Sequence, residues 1–428
     1  MYKQKFFKHF SSFCSFGTIQ AVQILLPLLA LPYLTRVLNP DNFGVLMYFL
    51  AFSATLSVFQ EWGFNLSAVR ALAKARGNRA EIGEISAGVL SAKIILSIGI
   101  IFISIPLFFV LPHASGAMLG FALAVAYAIV FGFNPLWFFQ GLGVGVPRMA
   151  LFDLLGGGLV LIFTFLFIKK PEQWSNYLLF LFVIKGIIYF GINFWIARCY
   201  AKNKMRVAAG IKALREAWVL FVSRLASMLY TNCSILIFGL FLSATQIGAL
   251  VLAEKVDRAF ASLVGPLNQT FFPEACASVS AGQEQKNTLV GASFWLTFGL
   301  MGLATLCMLV FAPELVQLAY GQSLPDAVFA LRVLCLLPPL LGCNLVLATQ
   351  VLLPHNYEKQ LAKLLFCVAL LAIPCTFGLG YCFGLHGAAW LSVLVEGCIF
   401  LGLLCYSRKI SPAILVLSWP ELKTCLKK

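Results

Sequence analysis

The chain reads as an all-α, polytopic integral membrane protein of about twelve transmembrane helices, two six-helix halves (1–205 and 206–428) around a central cavity. Three observations predict this. Of the 428 residues, 61% are hydrophobic and 11% charged, whereas a soluble domain carries about 25% charged residues. Apolar runs of bilayer-crossing length recur along the chain between short polar turns, a pattern that suits helical spans and not the weak alternating segments of a barrel. Finally, Leu38, a four-residue turn and Phe43-Gly44 return as Leu242, Ser243 to Gln246 and Ile247-Gly248, at a constant offset of 204. Two halves of equal topology give that spacing.

The elements follow in order. A basic stub with Lys3, Lys5 and Lys8 precedes the apolar run 17–38, which is longer than the core of a signal peptide and is expected to be a first helix. Pro27 and Pro32 should kink it. The turn Asn39-Pro40-Asp41-Asn42 leads to span two, 43–60, and to a basic segment with Arg70, Lys74, Arg76 and Arg79. Spans three to six are 85–111, 117–141, 149–168 and 177–200. Gly141-Leu142-Gly143-Val144-Gly145 follows a span and not a strand, so it is a tight turn and no phosphate cradle. Gly156-Gly157-Gly158 suits close helix packing. After a basic loop from Arg198 to Arg215 come spans seven, 218–242, and eight, 247–265. Spans nine to twelve are 287–312, 326–353, 361–383 and 386–406, ahead of a basic tail.

Charges lie where such spans should have none. Arg224 interrupts span seven, and Glu254, Lys255, Asp257 and Arg258 sit near the middle of span eight. Counted from Ile247, Glu254 is roughly 10 Å deep in a hydrocarbon core about 30 Å thick. Each such charge costs about 2.5–3.5 kcal/mol unless it faces protein or water, which points to a polar cavity. Lys93, Lys185, Asp153, Glu61 and Glu396 also lie in or at the ends of spans.

Thirteen cysteines form no CxxC pair and four histidines lie far apart, so neither a metal nor a cofactor is implied. The net charge of +15 is met by anionic lipid headgroups and calls for no nucleic acid. On the side of the N-terminus the turns and tails carry 22 Lys and Arg, and on the other side only Arg36, Lys169 and Lys170. Both termini are therefore expected in the cytoplasm.

Tyr33-Leu34-Thr35-Arg36-Val37-Leu38 with Phe43-Gly44 resembles the start of Wzx-type polysaccharide and O-antigen flippases, in the multidrug/oligosaccharidyl-lipid/polysaccharide exporter superfamily. Glu61-Trp62-Gly63-Phe64-Asn65-Leu66-Ser67-Ala68-Val69-Arg70 is similar to that family's segment after span two. Pro135-Leu136-Trp137-Phe138-Phe139-Gln140-Gly141 is similar to its close of span four, and Ile247-Gly248 through Ala253-Glu254-Lys255 to its span eight. The likeness covers most of the chain. Gly143 departs from it, standing where members often carry a carboxylate.

The resemblance implies a multi-pass protein of the bacterial inner membrane that moves an undecaprenyl-diphosphate-linked glycan, coupled to a proton or sodium ion, alongside other polysaccharide assembly proteins. A diphosphate calls for cations inside a hydrated passage. Those available are Arg36, Lys93, Arg224, Lys255 and Arg258, with Lys185 as an outsider. Snorkelling competes as a reading for Arg36, Lys93 and Arg224, and mutual neutralisation for Glu254 and Arg258. Lys255 projects about 100° from Glu254 and escapes that pairing. No nucleotide-binding motif is present, so a carboxylate that exchanges an ion is the expected energy device: Glu254 first, then Asp153, Glu61 and Glu396. Trp137, Phe138 and Phe139 suit either sugar stacking or an interfacial belt. Two alternatives stay open, a multidrug or other small-molecule exporter and a flippase of peptidoglycan lipid precursors. An enzyme is disfavoured, since the outer loops span only a few to about fifteen residues.

Reporter fusions test the topology. Fusions within 201–217 and at either terminus should report the cytoplasm, and a periplasmic signal from 201–217 would invert the assignment of every turn.

Overall fold

A computed structural model describes residues 29–201, 205–262, 264, 265, 268, 287–321, 324–355 and 357–410. Among these residues there are helices and no strand, a form that pairs each span's backbone groups internally where the hydrocarbon offers none. The helices are α1 (29–37), α2 (Pro40–Glu61), α3 (Phe64–Lys74), α4 (Arg79–Val110), α5 (Met118–Gly132), α6 (Leu136–Leu142), α7 (Val146–Phe167) and α8 (Trp174–Cys199). They continue as α9 (Val207–Phe238), α10 (Ala244–Ala261), α11 (Asn287–Val310), α12 (Ala312–Tyr320), α13 (Pro325–Leu334), α14 (Leu337–Val346), a π-helical turn Leu347–Leu352 and α15 (Glu358–Ile410).

Eight stretches among the described residues are long and apolar enough to cross a membrane. One of them, α15, breaks at Gly384 (φ 53, ψ −127) and so carries the expected spans eleven and twelve. Of expected span one only residues 29–38 are described, with 29–37 forming α1, while 17–28, including Pro27, lie outside the described residues; expected spans seven and eight fall on α9 and α10. Two stretches differ from their expected form. The basic segment after span two is helical, because Phe64, Ala68 and Leu72 recur at i, i+4 and i+8 and give α3 one buried face. The loop expected to last to residue 217 becomes helical at Val207.

Local signals set the ends. Asn39 caps α2, its side chain accepting from the Asn42 amide at 3.0 Å, with Pro40 next in line. Asn78 caps α4 in the same way. Gly143 and Gly145, both left-handed (φ 69 and 78), make the tight turn between α6 and α7.

The described residues form two compact units, one ending at Gly248 and the other starting at Ala249. The first unit includes α9, which packs on α4 and α2. Small residues make that crossing close: a Cβ on Gly210 would lie 2.9 Å from the Ala92 amide nitrogen. In the second unit α11 packs on α14, and α13 and α14 pack on α15.

The two repeated turns meet within the first unit. The Thr245 hydroxyl donates to the Asp41 carboxylate, the two residues lying 204 apart in sequence. Gly44 and Gly248 share that offset, and a Cβ on Gly248 would stand 3.1 Å from the Gly44 Cα. A Cβ on Gly44 would fall 1.7 Å from the Ala244 carbonyl oxygen. Gly44→Val should therefore cost about 1–3 kcal/mol through overpacking and lower the melting temperature of the purified protein. Gly99→Val, where nothing lies within 4 Å, should melt close to wild type.

Candidate functional site

In the first unit three of the expected residues come together where α2 ends. After Glu61 the chain turns left-handed at Trp62 (φ 45, ψ 26) and again at Gly63 (φ 75). For a residue with a side chain this costs about 1–2 kcal/mol. The indole offsets it. Its Nε1 donates to the Leu214 carbonyl at 3.0 Å, and its ring stacks on Phe221 at 3.9 Å and 9°. Glu61 then faces α9 and pairs with the Arg224 guanidinium at 3.5 Å. Arg224 is 58% exposed, so the pair adds little to stability, about 0–1 kcal/mol, and its donors remain open to another anion.

Lys93 lies within electrostatic reach of Glu61. It is 1% exposed, donates to the Gly132 carbonyl at 2.5 Å, and sits over the rings of Phe133 and Trp137 at 5.7 and 5.9 Å. It does not snorkel. Gln60 holds the same stretch of α4, donating to the Lys93 carbonyl at 2.8 Å and to Ser97 Oγ at 2.9 Å.

Asp153 is engaged elsewhere in this unit. The Lys185 ammonium reaches its Oδ1 at 2.9 Å, and the Tyr189 hydroxyl donates to the same oxygen at 2.7 Å. Asp153 Oδ2 is buried without a hydrogen-bond partner. Gly156 leaves the space for this pair, since a Cβ there would press on Ile188 at 2.7 Å and on Lys185 at 3.5 Å. Arg36 is exposed on α1.

In the second unit, Glu254 and Arg258 pair at 3.8 Å along α10, as their spacing implies. Lys255 is half-buried beside them. Asp257 is 1% exposed and its Oδ1 has no hydrogen-bond partner. The sequence showed Asp257 within a charged run, yet nothing in the run singled it out as the most buried of the four. Glu396 has a different partner, accepting from Asn344 Nδ2 at 2.8 Å. Around the π-helical turn, Gln350 donates to Asn268 Oδ1 at 2.9 Å and Ser293 Oγ at 3.0 Å.

The aromatic signature needs correction. Trp137 and Phe138 are buried in the core against Phe64, Ala68 and Leu72 of α3, so they neither stack on a sugar nor form a belt. The rings that border the charged site are those of Trp62, Trp218 and Phe221, which sequence reasoning passed over. The signal was the recurrence of Trp218, Phe221 and Arg224 every third residue, one ridge of a helix.

Solved structures share this multi-pass helical fold. An inward-facing multidrug-resistance MATE transporter of the MOP superfamily matches with a TM-score of 0.67 at 16% identity, covering 95% of this chain and 99% of that one. The lipid II flippase MurJ, in an inward closed conformation, matches with a TM-score of 0.67 at 15% identity, covering 94% and 90%. Two curated relatives carry the name "Putative O-antigen transporter". The one from Escherichia coli (strain K12) is 26% identical over 401 residues, 91% of this chain and 94% of the relative. The one from Shigella dysenteriae is 26% identical over 403 residues, covering 90% and 96%. The family described as polysaccharide biosynthesis protein matches residues 11–275, more than half of the chain. The chain belongs to that family.

The buried pair gives a direct test. Lys185→Met strands the Asp153 carboxylate and should cost about 3–5 kcal/mol, read as a lower melting temperature. Adding Asp153→Asn should restore most of the loss.

Proposed function

We propose that the protein is a flippase and not an enzyme. It moves a polyprenyl-diphosphate-linked oligosaccharide, an O-antigen or related surface-polysaccharide repeat unit, from the cytoplasmic to the periplasmic leaflet of a bacterial inner membrane. It works by alternating access, with both termini in the cytoplasm and with 1–205 and 206–428 as its repeated halves. Membership of the polysaccharide biosynthesis family supports this reading, as do the names of the two curated relatives.

The observation that carries it is the open pair of Arg224 and Glu61 at the end of α2, 3.5 Å apart with the guanidinium 58% exposed. A diphosphate presents the same kind of oxygens as a carboxylate with more charge, and a guanidinium fork binds them in pairs. It displaces Glu61 from Arg224 at a smaller penalty than at a sealed pair, because the guanidinium is already in contact with solvent. Lys255 and Arg258 on α10 and Arg36 on α1 are further candidate cations, and Lys93 lies within electrostatic reach of Glu61.

Transport in one direction needs a driving force. Glu254, held by Arg258 at 3.8 Å, is the first coupling carboxylate, with Asp257 beside it and Glu61, Asp153 and Glu396 as the others. Substrate that takes the cation away from a buried carboxylate changes how readily that carboxylate binds an ion, which ties the two movements together.

Deletion of the chromosomal copy tests the substrate class: the lipid-linked glycan should accumulate on the cytoplasmic leaflet and surface glycan should fall. Normal surface glycan without accumulation would overturn the proposal. At matched expression, Arg224→Ala, or Lys255→Ala with Arg258→Ala, should cut transport about tenfold or more, the loss of a charge-assisted contact. In vesicles, Glu254→Gln should abolish the response of transport to an imposed pH gradient. A variant that responds as wild type does shifts coupling to another carboxylate or another ion.

A further inference from the structure

We infer that Trp62 and Trp218, backed by Phe221, form a stacking platform for the first pyranose ring of the substrate, beside the Arg224 diphosphate anchor. The inference rests on the flippase reading above and adds to it a subsite for the sugar.

Four observations meet here. Trp62 holds a left-handed backbone that a tryptophan rarely adopts (φ 45), and backbone strain of that kind persists where the surroundings enforce it and clusters at binding sites. Its neighbour Gly63 lets the turn press onto α9, since a Cβ there would stand 3.1 Å from both Leu220 Cβ and the Phe221 amide nitrogen. The strained turn thus lays an indole against Phe221 at 3.9 Å and beside Trp218 at 5.7 Å. Phe221 is buried, whereas Trp218 is 52% exposed, so the platform has a backing and an open side.

Its place along α9 fits a lipid-linked sugar. Trp218, Phe221 and Arg224 follow one another along a single ridge of the helix, and six residues separate the tryptophan from the arginine, a rise of about 9 Å. A glycosyl diphosphate spans a similar length from its phosphates to the far side of its first ring. The order is also right. Arg224 lies deeper in the span and Trp218 nearer the basic loop, as the phosphates and sugar of a lipid in the cytoplasmic leaflet would be arranged. A pyranose offers a face of C–H bonds that an indole ring accepts, and charged or hydroxyl-rich partners are not needed for that contact. A tryptophan of an interfacial belt turns its N–H to the headgroups, yet the Trp62 N–H is committed to the Leu214 carbonyl.

Two probes separate the subsites: farnesyl diphosphate, and the same diphosphate carrying N-acetylglucosamine. Equilibrium binding of each is measured on the full chain in lipid nanodiscs. Wild type should bind the sugar-bearing probe more tightly. Trp218→Leu should weaken that probe about three- to tenfold, the worth of a ring contact, and leave farnesyl diphosphate unchanged, which also reports an intact fold. Arg224→Gln should weaken both, and Trp218→Phe should retain most of the sugar effect. Equal binding of the two probes by wild type, or an equal effect of Trp218→Leu on both or on neither, overturns the platform alone. Wild-type protein that binds neither probe sinks the flippase reading and the platform with it.

Discussion

A charge inside hydrocarbon must have a partner, and the charged groups of this bundle divide according to how they meet that demand. Lys185 and Asp153 close on each other at 2.9 Å, with the Tyr189 hydroxyl on the same oxygen. Lys93 finds neutral partners, a carbonyl and two aromatic faces. Glu61 with Arg224, and Glu254 with Arg258, are pairs in which the carboxylate is largely buried while the guanidinium is more than half exposed. Pairs of this last kind leave guanidinium donors unspent, so an anion can be received there.

The path of the chain was legible because hydrophobicity alone writes it. Among the described residues the apolar runs of bilayer length are helical apart from short breaks, and the break at Gly384 lies between the two runs separated at 383 and 386. The likeness of two short turns at an offset of 204 is visible in the sequence as spacing. What spacing could not convey is that residues of the repeat touch their own counterparts, Asp41 with Thr245 and Gly44 with Gly248. Glycine at both places has a steric reason: any Cβ would meet backbone.

Partners on different helices were not legible. Asp153 and Lys185 are 32 residues apart and Glu61 and Arg224 far more, and nothing in a linear pattern chooses which helix faces which. The candidates named from the sequence therefore mixed groups with different fates: Asp153 was grouped with Glu61, although one is locked and the other is not. Burial along one helix was equally hidden. Asp257, the deepest charge of α10, lies among Glu254, Lys255 and Arg258 with no mark of its own. The left-handed Trp62 was hidden for another reason, since it breaks the local rule that such a turn takes glycine, and only the stack on Phe221 and the bond to Leu214 make it tenable.

The contrast between locked and open pairs bears on how the proposed diphosphate enters. Taking Lys185 from Asp153 would strand a buried carboxylate at a cost of about 3–5 kcal/mol, more than a new contact at the same site returns. Taking Arg224 from Glu61 leaves a carboxylate that is 13% exposed and not sealed as Asp153 is, so the cost is smaller, and a charge-assisted bond to phosphate, worth about 1.5–3 kcal/mol, offsets it. Exchange is therefore favourable at the exposed pair and unfavourable at the buried one. The resident carboxylate also limits how tightly the anion is held, because Glu61 remains in place to take the guanidinium back. A carrier needs both properties, since a ligand bound too firmly would not leave on the far side.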